Sequence, residues 1–557
     1  MLISKLFLFL LIFLIIFYSI IGYGLIADVF FLSEKNKEKQ KSLIEVNIIS
    51  AFYLGITTLT ILAFYYHLFF GFNKIINILI LIFGLFLFFQ RVKFIQTLKI
   101  SIIPVLLFSG LLISKTHDDF VLYHYQYLYE LNDNSLKFGL GNIDVRYAYS
   151  SLLAYLQAIF ILPYYELRLF HVPIYLIYTS LISYLFFKFL NVKNRDKFLI
   201  FFILIFLILK IKRLSEFGYD YIVQFLIIYL FIEFYTEKKN NLKLFIIYLY
   251  CILIKLISIF FLPIIIFFYF RNKKEFFYKK NINYFLFAIL IVLTIISDSL
   301  IKTGCLNYSI VASCFSNEIF SWSINKNSLD SFLQMVKLWS KGFFHQPGVR
   351  NDNIIEYLAN FNWIVNWFYI HFYLKIFDSI ILGTFIFIFL YFISNKALKT
   401  NYIEKQKDKN IFLLLVISIT FWLFNLPQYR FGFAIILLLL FFILKFFFNN
   451  KTLVYKNFLI ITIFSFIYFN YSNYIRINNE FKRSDEYKFS DFPFFSIYEN
   501  NFFININSAG NVYFSPIKGN SGTCFNIPSI CSIVNIDLKK IYILGREIIF
   551  IKSSKVL

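Results

Sequence analysis

A chain of 557 residues, 60% of them hydrophobic and 15% charged, carries more apolar surface than a soluble core can bury. Its repeated apolar runs of about 18 to 25 residues have membrane-crossing length, which excludes an ordinary soluble enzyme. The net charge of +23 does not point to nucleic acid, because the lysines fall in short clusters between apolar runs and not along one amphipathic face.

Retention of basic loops in the cytoplasm accounts for those clusters, with anionic membrane lipids as their default partners. The first apolar run is too long for a cleavable signal and lacks a small-residue cleavage site. Abundant Phe and Tyr, 79 and 41, accompany much Ile, Lys and Asn, as in an A+T-rich coding sequence. Aromatic runs therefore carry little weight as motifs.

A first span is predicted over residues 6–31, and the lysine-rich run 34–41 keeps the following loop inside, which places the N-terminus outside. Spans at 46–70 and 75–89 form a hairpin through Gly71-Phe72-Asn73-Lys74, and Arg91, Lys93 and Lys99 mark the return. A span at 100–114 then delivers His117-Asp118-Asp119 to the outer face. The next basic loop, 188–197, needs only one more crossing, at 173–187. The apolar piece 151–162 must then lie on the membrane or dip into it.

Spans at 198–209 and 221–234 flank an outer stretch containing Glu216 and Asp220. Between the basic loops 238–243 and 271–280 the apolar run is short and reads as a hairpin of two half-helices turning near Lys255. Such half-spans require protein or water to satisfy the backbone at the turn. A span at 284–296 leads to a long outer loop, 297–370. A span at 376–392 returns, and spans at 411–424, 432–448 and 459–469 leave residues 470–557 outside. The total is about fourteen crossings, with both termini outside and no internal repeat.

The expected fold is an all-α polytopic membrane protein with a small extracytoplasmic β-rich C-terminal domain. Its parts are N-terminal transmembrane helices (1–99), a transmembrane core (100–470) with outer loops 115–170 and 297–375, and the tail (471–557). The tail has strand-like runs at 502–507 and 541–551 separated by turn chemistry at 508–511 and 518–522. It reads as a lid, an acceptor-binding element or a docking element. Cys305, Cys314, Cys524 and Cys531 fall in outer segments and Cys251 alone is intramembrane, so disulfides and unpaired small hydrophobes are both open.

The chemistry concentrates where the outer loop begins. Activating an acceptor hydroxyl requires a carboxylate within hydrogen-bond reach. Asp118 and Asp119 open a surface helix beside His117 and His124; the bland alternative is that Asp119 merely caps that helix. A phosphate leaving group needs fixed positive charge, for which Arg146 and Arg430 are candidates, against simple snorkelling of Arg430. Lys255 could anchor a pyrophosphate, and Glu216 and Asp220 could line the site. His117, Asp118, Asp119 and His124 could also hold a divalent cation, although no spacing is diagnostic. Phosphate-binding glycine loops, nucleophile elbows and zinc-protease motifs are absent.

His117-Asp118-Asp119 with Tyr123-His124, Gly139-Leu140-Gly141-Asn142 with Arg146, Thr303-Gly304-Cys305-Leu306-Asn307-Tyr308, Arg430-Phe431-Gly432, and Gly522-Thr523-Cys524 with Pro528 and Cys531 resemble a group of uncharacterised bacterial polytopic membrane proteins. Such proteins are placed by analogy in the GT-C class of polyprenyl-phosphate-sugar-dependent glycosyltransferases. The resemblance covers residues from about Ser101 to the end. It implies a base at Asp118 or Asp119, a lipid-phosphate contact at Arg430, a polyprenyl-phosphate-linked sugar as donor, and a glycan or lipid acceptor at the outer face of the bacterial inner membrane. The chain departs from that class in having four spans before the loop in place of one and no matching second-loop acidic motif.

Two other classes stay open. An O-antigen polymerase or ligase would use His345 and Arg350. A lipid or polysaccharide transporter would show internal repeats and Gly/Pro-broken helices, and this chain has 18 Gly and 9 Pro. A non-enzymatic envelope scaffold is the blandest alternative.

Overall fold

The computed structural model describes residues 2–31, 44–113, 119–133, 136–149, 151–165, 167–192, 194–212, 214, 219–236, 241–271, 282–343, 354–359, 361–397, 402–448, 451–452, 455–482, 492–494, 502–506, 512–516, 527, 531, 538–543 and 546–551. Apolar runs become helices because in lipid every backbone N–H and C=O must be satisfied within its own segment. They are α1 (Leu2–Phe31), α2 (Ile44–Phe70), α3 (Lys74–Phe89), α4 (Phe94–Leu107), α5 (Tyr125–Asp133), α6 (Leu153–Ala158), α7 (Val172–Asn191), α8 (Asn194–Lys210), α9 (Asp220–Thr236) and α10 (Asn241–Ile254). Then follow α11 (Leu262–Arg271), α12 (Ile282–Thr303), α13 (Lys326–Ser340), α14 (Ile354–Leu358), α15 (Ile364–Trp367), α16 (Asp378–Ile393), α17 (Tyr402–Asn425), α18 (Tyr429–Phe447) and α19 (Tyr455–Lys482).

Among the described residues nine helices are long and apolar enough to cross a membrane, and Lys74–Phe89, Leu242–Ile254 and Leu256–Phe270 are shorter apolar helices. The architecture is that of a polytopic, all-α integral membrane protein. One continuous apolar cluster joins Phe9 on α1 to Phe494 beyond α19. Hydroxyls inside it bond back along their own helices, as Thr57 Oγ1 does to Tyr53 O (2.8 Å) and Thr60 Oγ1 to Ile56 O (2.7 Å).

Three helices approach to backbone contact. A Cβ added to Gly24 would lie 1.8 Å from Ala51 O, one on Gly55 2.0 Å from Ile20 O, and one on Gly22 2.0 Å from Gly84 O. Only glycine permits these crossings of α1 with α2 and α3, the small-residue packing that membranes favour.

Several expected spans have different ends. The span at 284–296 runs on to Thr303, the one at 376–392 is the second half of an apolar helix, Ile364–Ile393, and the one at 459–469 continues to Lys482. Residues Phe368–Phe377 of the long helix are π-helical. α17 starts at Tyr402, because a turn rich in Glu, Lys and Gln is a good helix former despite its polarity. The piece at 151–162 yields only the six-residue α6, buried throughout; at 1.5 Å per residue it is about 9 Å long and too short to cross. The half-helix hairpin is present: α10 stops at Lys255, whose extended backbone leads into a 3₁₀ segment, Leu256–Phe261, and then α11.

Among the described residues the strands pair in three two-stranded antiparallel sheets: β1 (Asn395–Ala397) with β2 (Lys451–Thr452) across α17 and α18, and two hairpins, β3 (Phe502–Ile506) with β4 (Val512–Pro516) and β5 (Leu538–Ile543) with β6 (Arg546–Ile551). β6 reaches back to the first loop, where Ile548 bridges Phe138. Gln126 Nε2 donates to Ile527 O at 2.9 Å. Cys305 and Cys314 form a disulfide just past α12, Cys531 is also disulfide-bonded, and Cys251 is free and buried.

Candidate functional site

Four charged side chains, far apart in sequence, meet at one end of the helix array. Asp220 is the first residue of α9, where the helix dipole favours an acid. Its Oδ1 accepts from Lys255 at the hairpin turn, and its Oδ2 lies 3.2 Å from Arg430 Nε on α18. Arg430 Nη1 stands 3.6 Å from Asp119 Oδ2, an ion-pair distance longer than a hydrogen bond. The carboxylates differ in access: the Asp220 side chain is 3% exposed and that of Asp119 is 31% exposed.

Local sequence explains why these groups are held. Gln224, one turn into α9, donates from Nε2 to Phe431 O (2.9 Å) and accepts from Ala434 N (3.0 Å), locking the first turn of α18 against α9. Gln428 Oε1 accepts from Arg430 Nε at 3.0 Å, and the Phe431 ring faces both Arg430 and Lys255. Asp119 is in helical conformation with no capping hydrogen bond, and the chain continues as a π-turn, Phe120–His124, before α5. The helix-cap reading of Asp119 therefore does not hold. Solitary snorkelling of Arg430 fails likewise.

His124 is buried against Tyr123 (4.1 Å between ring centroids) and edge-on to Tyr219 (5.0 Å). Tyr219 in turn donates to Gln157 Oε1 at 2.7 Å. Burial, with Asp119 and Asp220 nearby, pushes the Tyr123 phenol well above the ordinary tyrosine range, although Arg430 and Arg146 pull the other way. Burial likewise pushes Tyr149 up to about 12, with Asp220 adding to it. Both remain neutral hydroxyls at physiological pH.

The remaining predicted residues have other tasks or lie elsewhere. Arg146 forms a two-pronged pair with Asp144 (Nε to Oδ1 at 3.0 Å, Nη2 to Oδ2 at 2.5 Å), with its guanidinium over the Tyr123 ring. Burial works against its charge, but Asp144 outweighs it and raises the pKa. Asn142 donates to Trp322 O at 2.8 Å, and Gly139, at φ 79, donates to Ile301 O at 2.8 Å. The Gly139–Asn142 turn thus docks the first loop on the end of α12. His117, Asp118 and Glu216 lie outside the described residues, as do His345, Arg350 and Cys524. Among the described residues no three His, Cys, Asp or Glu side chains assemble as a metal site.

Three features escaped the sequence. Asp298 and Lys302, one turn apart on α12, pair at 2.7 Å; Tyr155 donates to Asp298 at 3.1 Å and Tyr127 to Tyr155 at 3.0 Å. Opposite charges four apart on a helix were a usable signal, hidden because the span was ended at residue 296. Arg476 on α19 binds the carbonyls that precede the acidic loop. An apolar groove of about 300 Å³ lies between the π-segment, α16, α17 and α18, lined by side chains including Phe372, Ile380, Ile419, Trp422 and Leu440. Nε1 of Trp422, one of the lining residues, donates to Gln428 O at 3.0 Å, two residues from Arg430.

Fold and site together define a helical integral membrane protein with a partly buried ionic cluster at the ends of its helices. The chain belongs to the family defined by a domain of unknown function (DUF8201), whose model matches residues 6–437. The match takes in Asp119, Asp220, Lys255 and Arg430 and stops before α19. No curated protein and no solved structure matches the chain.

Proposed function

We propose that this protein is a membrane glycosyltransferase of GT-C type, moving a sugar from a polyprenyl-phosphate donor to an envelope glycan or lipid acceptor at the outer face of the bacterial inner membrane. The observation that carries the proposal is the convergence of Asp119, Asp220, Lys255 and Arg430. A solvent-accessible acid stands beside a cation whose position is fixed by a second, buried acid. That is the division of labour a base and a phosphate contact require.

In this scheme Asp118 or Asp119 takes the acceptor hydroxyl proton, and the acceptor oxygen bonds to the anomeric carbon. The bond from that carbon to the phosphate oxygen breaks, and its electron pair leaves with the lipid phosphate, inverting the centre. Arg430 offsets the charge gathering on the phosphate. The apolar groove beside Trp422 and Gln428 gives the hydrocarbon chain of such a donor a place next to Arg430. Fourteen crossings, with the three shorter apolar helices and also α8 and α9 counted as spans, put the acidic loop and the C-terminal tail on the outer side, with the tail as a small β-rich domain over that loop.

Asp118→Asn, Asp119→Asn and the double variant, each at normal protein level, test the proposal through mass-spectrometric profiles of the envelope glycans and glycolipids. Loss of one glycan or one decoration in at least one variant is expected. Unaltered profiles in all three would sink the proposal.

A further inference from the structure

The chain enters the acidic loop through a costly turn. α4 tightens into a 3₁₀ turn, Phe108–Leu111, and Ile113 then takes φ 49, a left-handed conformation unfavourable for a β-branched residue. Asp119 follows only six positions on.

Side chains from α19 meet four of the carbonyls exposed by this ending, and Tyr175 on α7 donates to a fifth, Leu107 O (2.6 Å). Arg476 donates from Nη1 to Ile113 O (2.5 Å) and from Nη2 to Leu112 O (2.6 Å) and Ser109 O (3.4 Å). One to two turns earlier on α19, Asn470 donates to Leu106 O (2.9 Å) and accepts from Ser109 Oγ (2.7 Å). Asn473 accepts from Arg476 Nε (3.1 Å) and donates to Lys212 O (2.9 Å), which ties the guanidinium to the end of α8. A planar guanidinium with donors in a fixed fork can serve several carbonyls at once; a lysine ammonium on its flexible stem holds no such fork.

We propose that Arg476 is a positioning residue: it holds the left-handed turn at Ile113 and thereby sets where Asp119 stands relative to Arg430. The consequence for activity rests on the glycosyl-transfer reading of the acidic loop; the consequence for the backbone does not.

Hydrogen exchange on the full-length protein in detergent tests it with R476A, R476K and R476A/I113G. In R476A, peptides covering residues 106–113 and 119–124 exchange at least tenfold faster than in the wild type, while peptides from the 241–271 hairpin are unchanged. R476K remains close to R476A. Adding I113G restores slow exchange, since glycine adopts positive φ without penalty. In cells, the glycan lost in the Asp118 or Asp119 variants is lost in R476A and returns in R476A/I113G. Wild-type exchange in R476A, or no recovery with I113G, overturns the proposal. Glycan retained in R476A but lost in the aspartate variants overturns the link to Asp119. Glycan retained in the aspartate variants themselves overturns the glycosyl-transfer reading, and exchange then judges the turn alone.

Discussion

Asp220 is shared by two cations and almost sealed from solvent. Removing one partner of a buried pair leaves a charge without compensation, a loss of about 3–5 kcal/mol. Asp220→Ala is therefore expected to lower the unfolding midpoint of the detergent-purified protein sharply, and Asp220→Leu with Lys255→Met to recover most of the loss. Asp119, far more exposed, contributes to stability at the scale of a surface pair, about 1 kcal/mol or less, so Asp119→Asn should unfold near the wild type. The sequence offered each member of the cluster singly, because a charge at the end of an apolar run has few ordinary reasons to be there. It could not offer the pairing, which depends on how α9, α18 and the 241–271 hairpin meet. Asp298 and Lys302 were lost to a boundary drawn about two turns too early.

Helices were legible where hydrophobicity is their cause and illegible where something else is. Apolar runs locate the middle of every long helix, but α17 begins in a charged turn sustained by intrinsic propensity, and the π-segment at Phe368–Phe377 has no compositional mark. The glycines of α1, α2 and α3 become informative only when the backbones are seen to touch. Gly24→Leu or Gly55→Leu should force α1 away from α2 and lower both the yield of folded protein and its thermal midpoint in detergent; Gly71→Ala, in a turn at φ 73, tests the milder cost of strain without a clash. Equal behaviour of all three variants would show that close helix approach is not what those positions provide.

For the molecule as a whole, sidedness is the property on which the proposed chemistry turns. Asn327 on α13 and Gln406 on α17 are both exposed and lie in segments assigned to opposite faces. A cysteine at Asn327 should react with a membrane-impermeant maleimide on intact spheroplasts, and one at Gln406 only after permeabilisation. The reverse pattern would place the acidic loop in the cytosol, out of reach of an outer-leaflet donor. The bond between Cys305 and Cys314 suits the first arrangement, since such bonds persist in oxidising compartments.

The ionic cluster has one more implication, for how a ligand would arrive. Two formal positive and two formal negative charges among its described members nearly cancel at a distance, so beyond a Debye length of about 8 Å it casts little field into solution. Capture of an anion there would be a short-range exchange of partners, with the newcomer replacing Asp119 at the guanidinium. Such an encounter gains little from electrostatic steering, and its rate should respond only weakly to ionic strength.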